Sequence, residues 1–281
     1  MLTLLEKITK SLDGVYSSRE IKSISRILCQ DLLSIGDTDY FLKNSINLDY
    51  SRNKLFHNAL ERLKRGEPIQ YVVGSVDFCG IQLTVDRRAL IPRPETSELV
   101  EWILRNNSQD PAKLLDIGTG SGCVAIAISA QRPNWSVTGW DISPQALALA
   151  VENNKTNHTS AIFQECNILS NPECSNLFDL IVSNPPYITG SEKQGMEINV
   201  LDWEPELALF VPDNNPLLFY SAIAGFAKKN LRIGGTLYFE INPLFARNLV
   251  NFLKTGGFSN IVVKKDISGK ERMIKAVWHN D

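Results

Sequence analysis

Three observations predict an α/β fold with a mainly parallel sheet for most of this chain. Strand and helix patterns alternate from Pro92 onward, and a glycine-rich turn follows the first of those strands. Only the last two strands lie too close together for a helical crossover. A small N-terminal helical domain comes first, with a β-hairpin connector after it, giving boundaries at 1–75, 76–91 and 92–281.

The N-terminal part reads as helical because apolar residues recur at helical spacing. They run Leu4, Leu5, Ile8, Leu12, then Ile21, Ile24, Ile27, Leu28, then Leu55, Phe56, Ala59, Leu60, Leu63. Gly66-Glu67-Pro68 ends the last of these helices, since proline cannot continue one. From Ile69 to Ile91 the period changes. Tyr71, Val73, Phe78, Ile81, Leu83 and Val85 alternate or cluster in short runs broken by Gly74 and Gly80, the pattern of a hairpin.

Beyond Pro92, strands are expected at Lys113–Ile117, Ser136–Trp140, Phe178–Ser183, Thr236–Ile241, Ile261–Lys265 and Met273–Trp278. Helices are expected at 124–130, 144–153, 217–231 and 244–254. Only 266–272 separates the last two strands, so they should pair antiparallel.

Composition narrows the function. The chain has 281 residues, is 43% hydrophobic and 21% charged, and carries a formal net charge of −2. Those are globular values, and they speak against a strongly basic nucleic-acid binder. The N-terminal 75 residues hold eleven Lys and Arg against nine Asp and Glu, too balanced to steer a charged partner. No apolar run is long enough to span a membrane, and Met1–Lys7 reaches charge too soon for a signal peptide. The cytoplasm is the expected compartment. Five scattered cysteines and three isolated histidines form neither a zinc pattern nor a disulfide framework, so no metal is expected.

Chemistry concentrates at two strand ends. Leu114–Ile117 runs into Gly118-Thr119-Gly120-Ser121-Gly122 and then into a helix. Alternate glycines let the backbone turn sharply and approach a ligand, in the crevice where open α/β sheets bind nucleotide-like molecules. A dinucleotide fingerprint needs a third glycine one place later, where Cys123 stands. With no phosphate to cradle, the loop tolerates the nearby carboxylate of Asp116, which suits a cationic amino-acid group. Asp141 ends the second strand, where a carboxylate accepts both ribose hydroxyl hydrogens. The alternative for Asp141 is a helix N-cap, a role Ser143-Pro144 would serve equally well.

The strand Phe178–Ser183 delivers Asn184-Pro185-Pro186-Tyr187 at its C-terminal end. The prolines hold the backbone rigid. The Asn184 side-chain oxygen and the Pro185 carbonyl can accept both hydrogens of a planar –NH₂ group, while Tyr187 can stack on it or border a sulfonium. Such a nitrogen is a poor nucleophile, so catalysis rests on positioning and charge matching. Standing alone, the tetrapeptide would read as a rigid surface turn. Behind a buried strand and downstream of the glycine loop, it reads as a methyl-acceptor site.

With these residues the chain resembles the class I methyltransferases, and within them the release factor glutamine N5-methyltransferase family. The resemblance covers nearly the whole chain. It rests on Glu67–Tyr71, Leu90-Ile91-Pro92-Arg93-Pro94-Glu95-Thr96, Asp116–Gly122, Asp141, Asp179–Ile188, Glu204-Pro205 and Ala208-Leu209. Adenine-N6 DNA methyltransferases and some RNA guanine-N2 enzymes look similar at Asn-Pro-Pro-Tyr, so Ile91–Thr96 is the sharper mark. By residue type, that segment also suits a plain helix start, with Pro94 at its first position.

The resemblance implies a seven-stranded sheet with its last strand antiparallel and S-adenosyl-L-methionine as cofactor. It implies that Gly118, Thr119, Gly120, Ser121, Gly122 and Asp141 hold that cofactor, with Asn167-Ile168 at its adenine and Asn184 bordering both ligands. Asn184, Pro185, Pro186 and Tyr187 would grip the glutamine of a Gly-Gly-Gln loop in peptide chain release factors. Asn167 stands where the family often has an acid, and Phe210–Leu218 has fewer glycines than usual. The polar stretch 189–199 reads as a surface connection or a lid. Two other classes compete. One is a nucleic-acid amino-group methyltransferase, which should carry a basic groove that the near-neutral N-terminal segment lacks. The other is a non-catalytic cofactor-binding protein, for which two poised acceptors would have no use.

Overall fold

The computed structural model describes residues 3–41, 47–108 and 110–279. Met1 and Leu2, the start of the run weighed against a signal peptide, lie outside them, as does 42–46 of the N-terminal helical region. The chain divides into two compact units, one comprising residues up to Ser75 with Glu197–Trp203, the other Val76–Met196 with Glu204 onward.

The first unit opens with α1 (Leu4–Leu12) and α2 (Ser18–Ile27). Each starts with a capping box, Thr3 with Glu6 and Ser17 with Glu20, which satisfies helix-end amides that have no partner inside the helix. A π-helical turn at Leu28–Leu32 continues α2, and α3 (Asp37–Phe41) and α4 (Tyr50–Lys64) follow. Their apolar stripes bury Ile8, Leu12, Leu28, Phe56 and Leu63 in a common core.

Here one expectation fails. Ile69–Val73 is a short helix, α5, and not the first arm of the hairpin. The Arg62 guanidinium donates to the Tyr71 and Val72 carbonyls at 2.8 and 3.1 Å, and to Glu67 at 2.8 and 2.5 Å. It thereby satisfies carbonyls that a helix C-terminus leaves open. Gly74, at φ 83°, ends the helix in the left-handed conformation that glycine adopts without strain. Tertiary hydrogen bonds outweigh the β-propensity of Tyr71-Val72-Val73.

The second unit begins at Val76, within the hairpin of β1 (Ser75–Phe78) and β2 (Ile81–Thr84). Then come α6 (Pro94–Asn106), β3 (Lys113–Ile117), α7 (Cys123–Gln131), β4 (Ser136–Asp141) and α8 (Pro144–Thr156). They are followed by β5 (Ile162–Glu165), β6 (Phe178–Ser183) and the two-residue β7 (Ile188–Thr189). The chain visits the first unit through α9 (Ile198–Trp203) and returns to β8 (Phe210–Val211) and α10 (Leu218–Asn230). The remainder is β9 (Leu231–Glu240), α11 (Ala246–Thr255), β10 (Phe258–Lys265) and β11 (Glu271–Trp278).

Seven strands form one sheet in the order β10-β11-β9-β6-β3-β4-β5. β9, β6, β3, β4 and β5 run parallel, and β11 is antiparallel to both β9 and β10. Alternate residues feed two cores. Leu115, Ile117 and Ile181 pack with residues of α10 and α11, while Leu114, Leu180 and Val182 pack with residues of α6 and α7. The hairpin groups with this unit. Asn153, fully buried in α8, accepts from Thr84 N at 2.7 Å and donates to the Thr84 and Ser121 carbonyls at 3.0 Å each.

The stretch 189–199 is more regular than a surface loop. β7 pairs parallel with β8, Gly190–Gly195 is a 3₁₀ turn, and α9 follows. Asn242 donates to Glu192 at 3.1 and 3.0 Å and to the Tyr187 carbonyl at 3.1 Å, fastening the start of this segment to the end of β9.

Candidate active site

The sheet switches direction of winding at β3, which has β4 on one side and β6 on the other. Both functional segments leave the C-terminal ends of these strands, where crevices of open α/β sheets take their ligands. The turn after β3 folds over the end of β4, with Gly118 N and Thr119 N donating to the Trp140 carbonyl at 2.8 and 2.9 Å. Gly118, Gly120 and Gly122 all have positive φ. At Gly122 a Cβ would also lie 2.9 Å from Ile126 Cδ1 and 3.2 Å from Phe163 Cζ, so packing as well as conformation requires glycine.

One cavity is lined by Asp116, Gly118–Ser121, Asp141, Asn167, Ile168 and Asn184–Pro186. The structure thus brings the predicted loop, the acid and the methyl-acceptor segment together. A Cβ placed on Gly118 would stand 3.9 Å from the Asn184 carbonyl oxygen, and Ser183 Oγ donates to the Ile117 carbonyl at 2.6 Å. Gly122 and Tyr187 do not line the cavity. Gly122 caps α7, and the Tyr187 side chain packs against the sheet core with its hydroxyl donating to Glu240 at 3.2 Å.

Asp141 is no helix cap; that position belongs to Ser143, whose side chain accepts from Ala146 N. The Asp141 carboxylate accepts one backbone hydrogen on each oxygen, from Gly120 N at 2.8 Å and Ser143 N at 2.9 Å. Backbone amides thus hold both oxygens of a carboxylate that lines the cavity. Burial raises its pKa. Asp116, 2% exposed, accepts from Thr119 Oγ1 at 2.6 Å, and burial pushes its carboxyl up to about 7. Asn167 uses its side-chain oxygen on Leu169 N at 2.9 Å. Beside it Ile168 and Leu169 supply apolar wall.

Around Asn184 lies a polar cluster that sequence reasoning missed. Asn184 Nδ2 donates to Thr96 Oγ1 at 3.2 Å, and Thr96 Oγ1 donates to Glu240 Oε2 at 2.6 Å. In the sequence Thr96 belongs to the mark Ile91–Thr96 and to a helix start, and neither reading assigns it a partner. An acid closing the apolar run Leu237-Tyr238-Phe239-Glu240 was the available signal, because a buried carboxylate demands partners. Ile91–Thr96 and Glu204-Pro205, two separate marks in the sequence, also meet. Glu204 accepts from Arg93 Nη2 at 2.6 Å and from Ile91 N at 3.1 Å.

The cavity suits S-adenosylmethionine better than a phosphate-bearing cofactor. Its edge cations are committed to carboxylates, Arg88 to Asp86 and Glu152 and Arg93 to Glu204. Two acids, Asp116 and Asp141, are among its lining residues, the residue type that an ammonium group and a ribose diol call for.

A relative from Bacteroides thetaiotaomicron, named release factor glutamine methyltransferase, is 43% identical over 270 residues, covering 96% of this chain and 97% of its own. The chain belongs to the release factor glutamine methyltransferase family. A relative of the same name from Flavobacterium psychrophilum is 42% identical over 273 residues, 96% of each chain. The family models described as PrmC N-terminal domain and Methyltransferase small domain match residues 3–74 and 95–201. A solved methyltransferase from Pyrococcus furiosus, 16% identical, superposes with a TM-score of 0.51 over 72% of this chain and 90% of that one. The catalytic unit has the class I methyltransferase fold, with the seven strands and antiparallel last strand that the resemblance implied.

Proposed function

We propose that this release factor glutamine methyltransferase family member transfers the methyl group of S-adenosyl-L-methionine to the side-chain amide nitrogen of the Gly-Gly-Gln glutamine in a peptide chain release factor, in the cytoplasm. The observation that carries this reading is the match to relatives of that name across nearly the whole chain. The cavity supports it by bringing Asn184 and Pro185 beside the glycine loop and Asp141.

When bound, the cofactor supplies an electrophilic methyl on a sulfonium. The chain's residues do the rest. Asp141 would accept from the ribose hydroxyls, Asp116 would serve the ammonium group, and Asn167 and Ile168 would border the adenine. Asn184 Oδ1 and the Pro185 carbonyl accept the two amide hydrogens and aim the nitrogen, so that positioning and charge matching supply the rate. Once it carries the methyl the nitrogen is cationic and strongly acidic, so its proton passes to water and no strong base is needed.

The test incubates the full chain with labelled cofactor and either intact release factor or separated cellular nucleic acid. Mass spectrometry then locates the methyl. The expected position is the loop glutamine, and Asn184→Ala should slow that reaction by about a hundredfold. Label on a nucleic-acid amino group, with none on the factor, would instead support the nucleic-acid reading.

A further inference from the structure

The two ends of the Asn184 amide are nearly equal in shape and opposite in chemistry. Turned one way it offers the substrate an acceptor; turned the other it sets –NH₂ against –NH₂. Something must choose between them, and the donors and acceptors around the group make that choice. The register of β6 with β9 pairs Ser183 with Phe239, so Asn184 and Glu240 follow at neighbouring strand ends. Glu240 is 1% exposed. As a carboxylate it has no proton to give, and both its oxygens receive hydroxyls, Thr96 at 2.6 Å and Tyr187 at 3.2 Å. Thr96, 2% exposed, has a single hydroxyl hydrogen, and Glu240 takes it. Only lone pairs remain on Thr96 Oγ1, and they can meet Asn184 solely through Nδ2, the contact observed at 3.2 Å.

We propose that Glu240 and Thr96 are positioning residues of the methyl-transfer site. The buried carboxylate sets the direction of the Thr96 hydroxyl, and Thr96 in turn holds Asn184 with its oxygen toward the acceptor nitrogen. This rests on the amide-methylation reading for its kinetic consequence, while the orientation of Asn184 is a property of the chain alone. The same carboxylate holds the Tyr187 hydroxyl, so one buried charge organises both side chains of the Asn-Pro-Pro-Tyr segment. Burial and Glu95 push the Glu240 carboxyl up to about 7 against the opposing pull of Thr96, Tyr187 and Arg272; Tyr220 and Cys123 also face it. Once protonated, Glu240 can donate to Thr96, whose own hydrogen is then free to turn toward Asn184 and scramble the order.

The test has two arms on the full chain. In the first, initial rates on intact release factor are measured at saturating cofactor for Thr96→Val, Thr96→Ser, Asn184→Ala and the Thr96→Val/Asn184→Ala double variant. Thr96→Val should lower kcat by about tenfold, the worth of one oriented hydrogen bond. Thr96→Ser should regain most of that loss. In the Asn184→Ala background the valine substitution should cost less than about twofold, because its target is gone. Equal losses in both backgrounds overturn the proposal. The second arm needs no methyl acceptor. Hydrogen exchange of the Asn184 side-chain amide, followed by ¹⁵N NMR, should be slow in the wild type and in Thr96→Ser. It should quicken by about tenfold or more in Thr96→Val. Unchanged exchange overturns the proposal whatever the substrate. Protection lost on cue in a protein that leaves release factors unmethylated would sink the functional reading and leave the positioning intact.

Discussion

Two buried carboxylates, Asp116 and Glu240, hold protons to about pH 7 in a fold that keeps both near water-free surroundings. Each has a folded-state pKa above its unfolded one, so the folded protein binds more protons between roughly pH 4 and 7. The cost of burying them is absent below that window, grows through it, and is complete above about pH 7. Glu240→Gln removes one such cost, so the melting temperature of the variant relative to wild type should climb as pH rises from 5 to 8, measured without cofactor. A gap that stays constant with pH would show that Glu240 does not titrate there. Asp141 acts differently, since it lines the cavity. Asp141→Ala should weaken S-adenosylmethionine binding by about 1.5–3 kcal/mol in calorimetry, with little change in affinity for the release factor. Unaltered cofactor affinity would reduce Asp141 to a brace for Gly120 and Ser143. At this scale the sequence was readable where a residue type is chemically committed, as at Asp141 and Asn184. Glu240 leaves only the trace of an acid closing an apolar run, and Thr96 none, because their contact exists only once α6 meets the ends of β6 and β9.

Elements were legible in proportion to how much of their pattern is local. The β3–loop–α7 transition is written into Leu114–Gly122, because alternating glycines permit what no other residue can. Gly122→Ala tests this. Its φ of 80° is strained for alanine, and the new Cβ would press on Ile126, Ala150 and Phe163. Loss of about 1–3 kcal/mol in denaturant unfolding, with weaker cofactor binding, is expected. Stability equal to wild type would mean that the loop relaxes freely and does not hold the start of α7. Gly139 shows the same closeness inside β4, where a Cβ would meet Phe163 and Thr119 Oγ1 at 2.7 Å. The misread element, α5, is a five-residue helix whose carbonyls are satisfied by Arg62 from α4. A periodicity argument sees Tyr71-Val72-Val73 and answers strand, since it has no access to a guanidinium arriving from another helix. The β7–β8 pair escaped for a similar reason. Each strand is two residues long and exists only by pairing with the other.

For the whole molecule, the question is how one glutamine is selected among all that are exposed. A pocket around a single amide discriminates by only a few kcal/mol. We therefore expect a second recognition surface, and the helical unit is the segment outside the methyltransferase fold large enough to supply it. The full chain should methylate intact release factor far faster than a short Gly-Gly-Gln peptide, measured as initial rates. Equal rates would leave the chemistry standing and remove that role. A deletion of the first 75 residues should abolish the preference, but the unit also takes in Glu197–Trp203, which the deletion would strand. Substitutions at exposed positions such as Tyr50, 85% exposed on α4, offer a milder probe. By itself the sequence determined the fold class, the glycine turn and the placing of Asp141 and Asn184–Tyr187 at strand ends, because each depends on residues adjacent in the chain or on a period of two or 3.6. Only the tertiary structure decided that Glu204 joins Arg93 and Ile91, that Glu240 and Thr96 orient Asn184, and that Glu197–Trp203 belongs with the helices. Those partners lie up to 144 residues apart, and a hydrogen bond across such a gap leaves no local trace in composition or spacing.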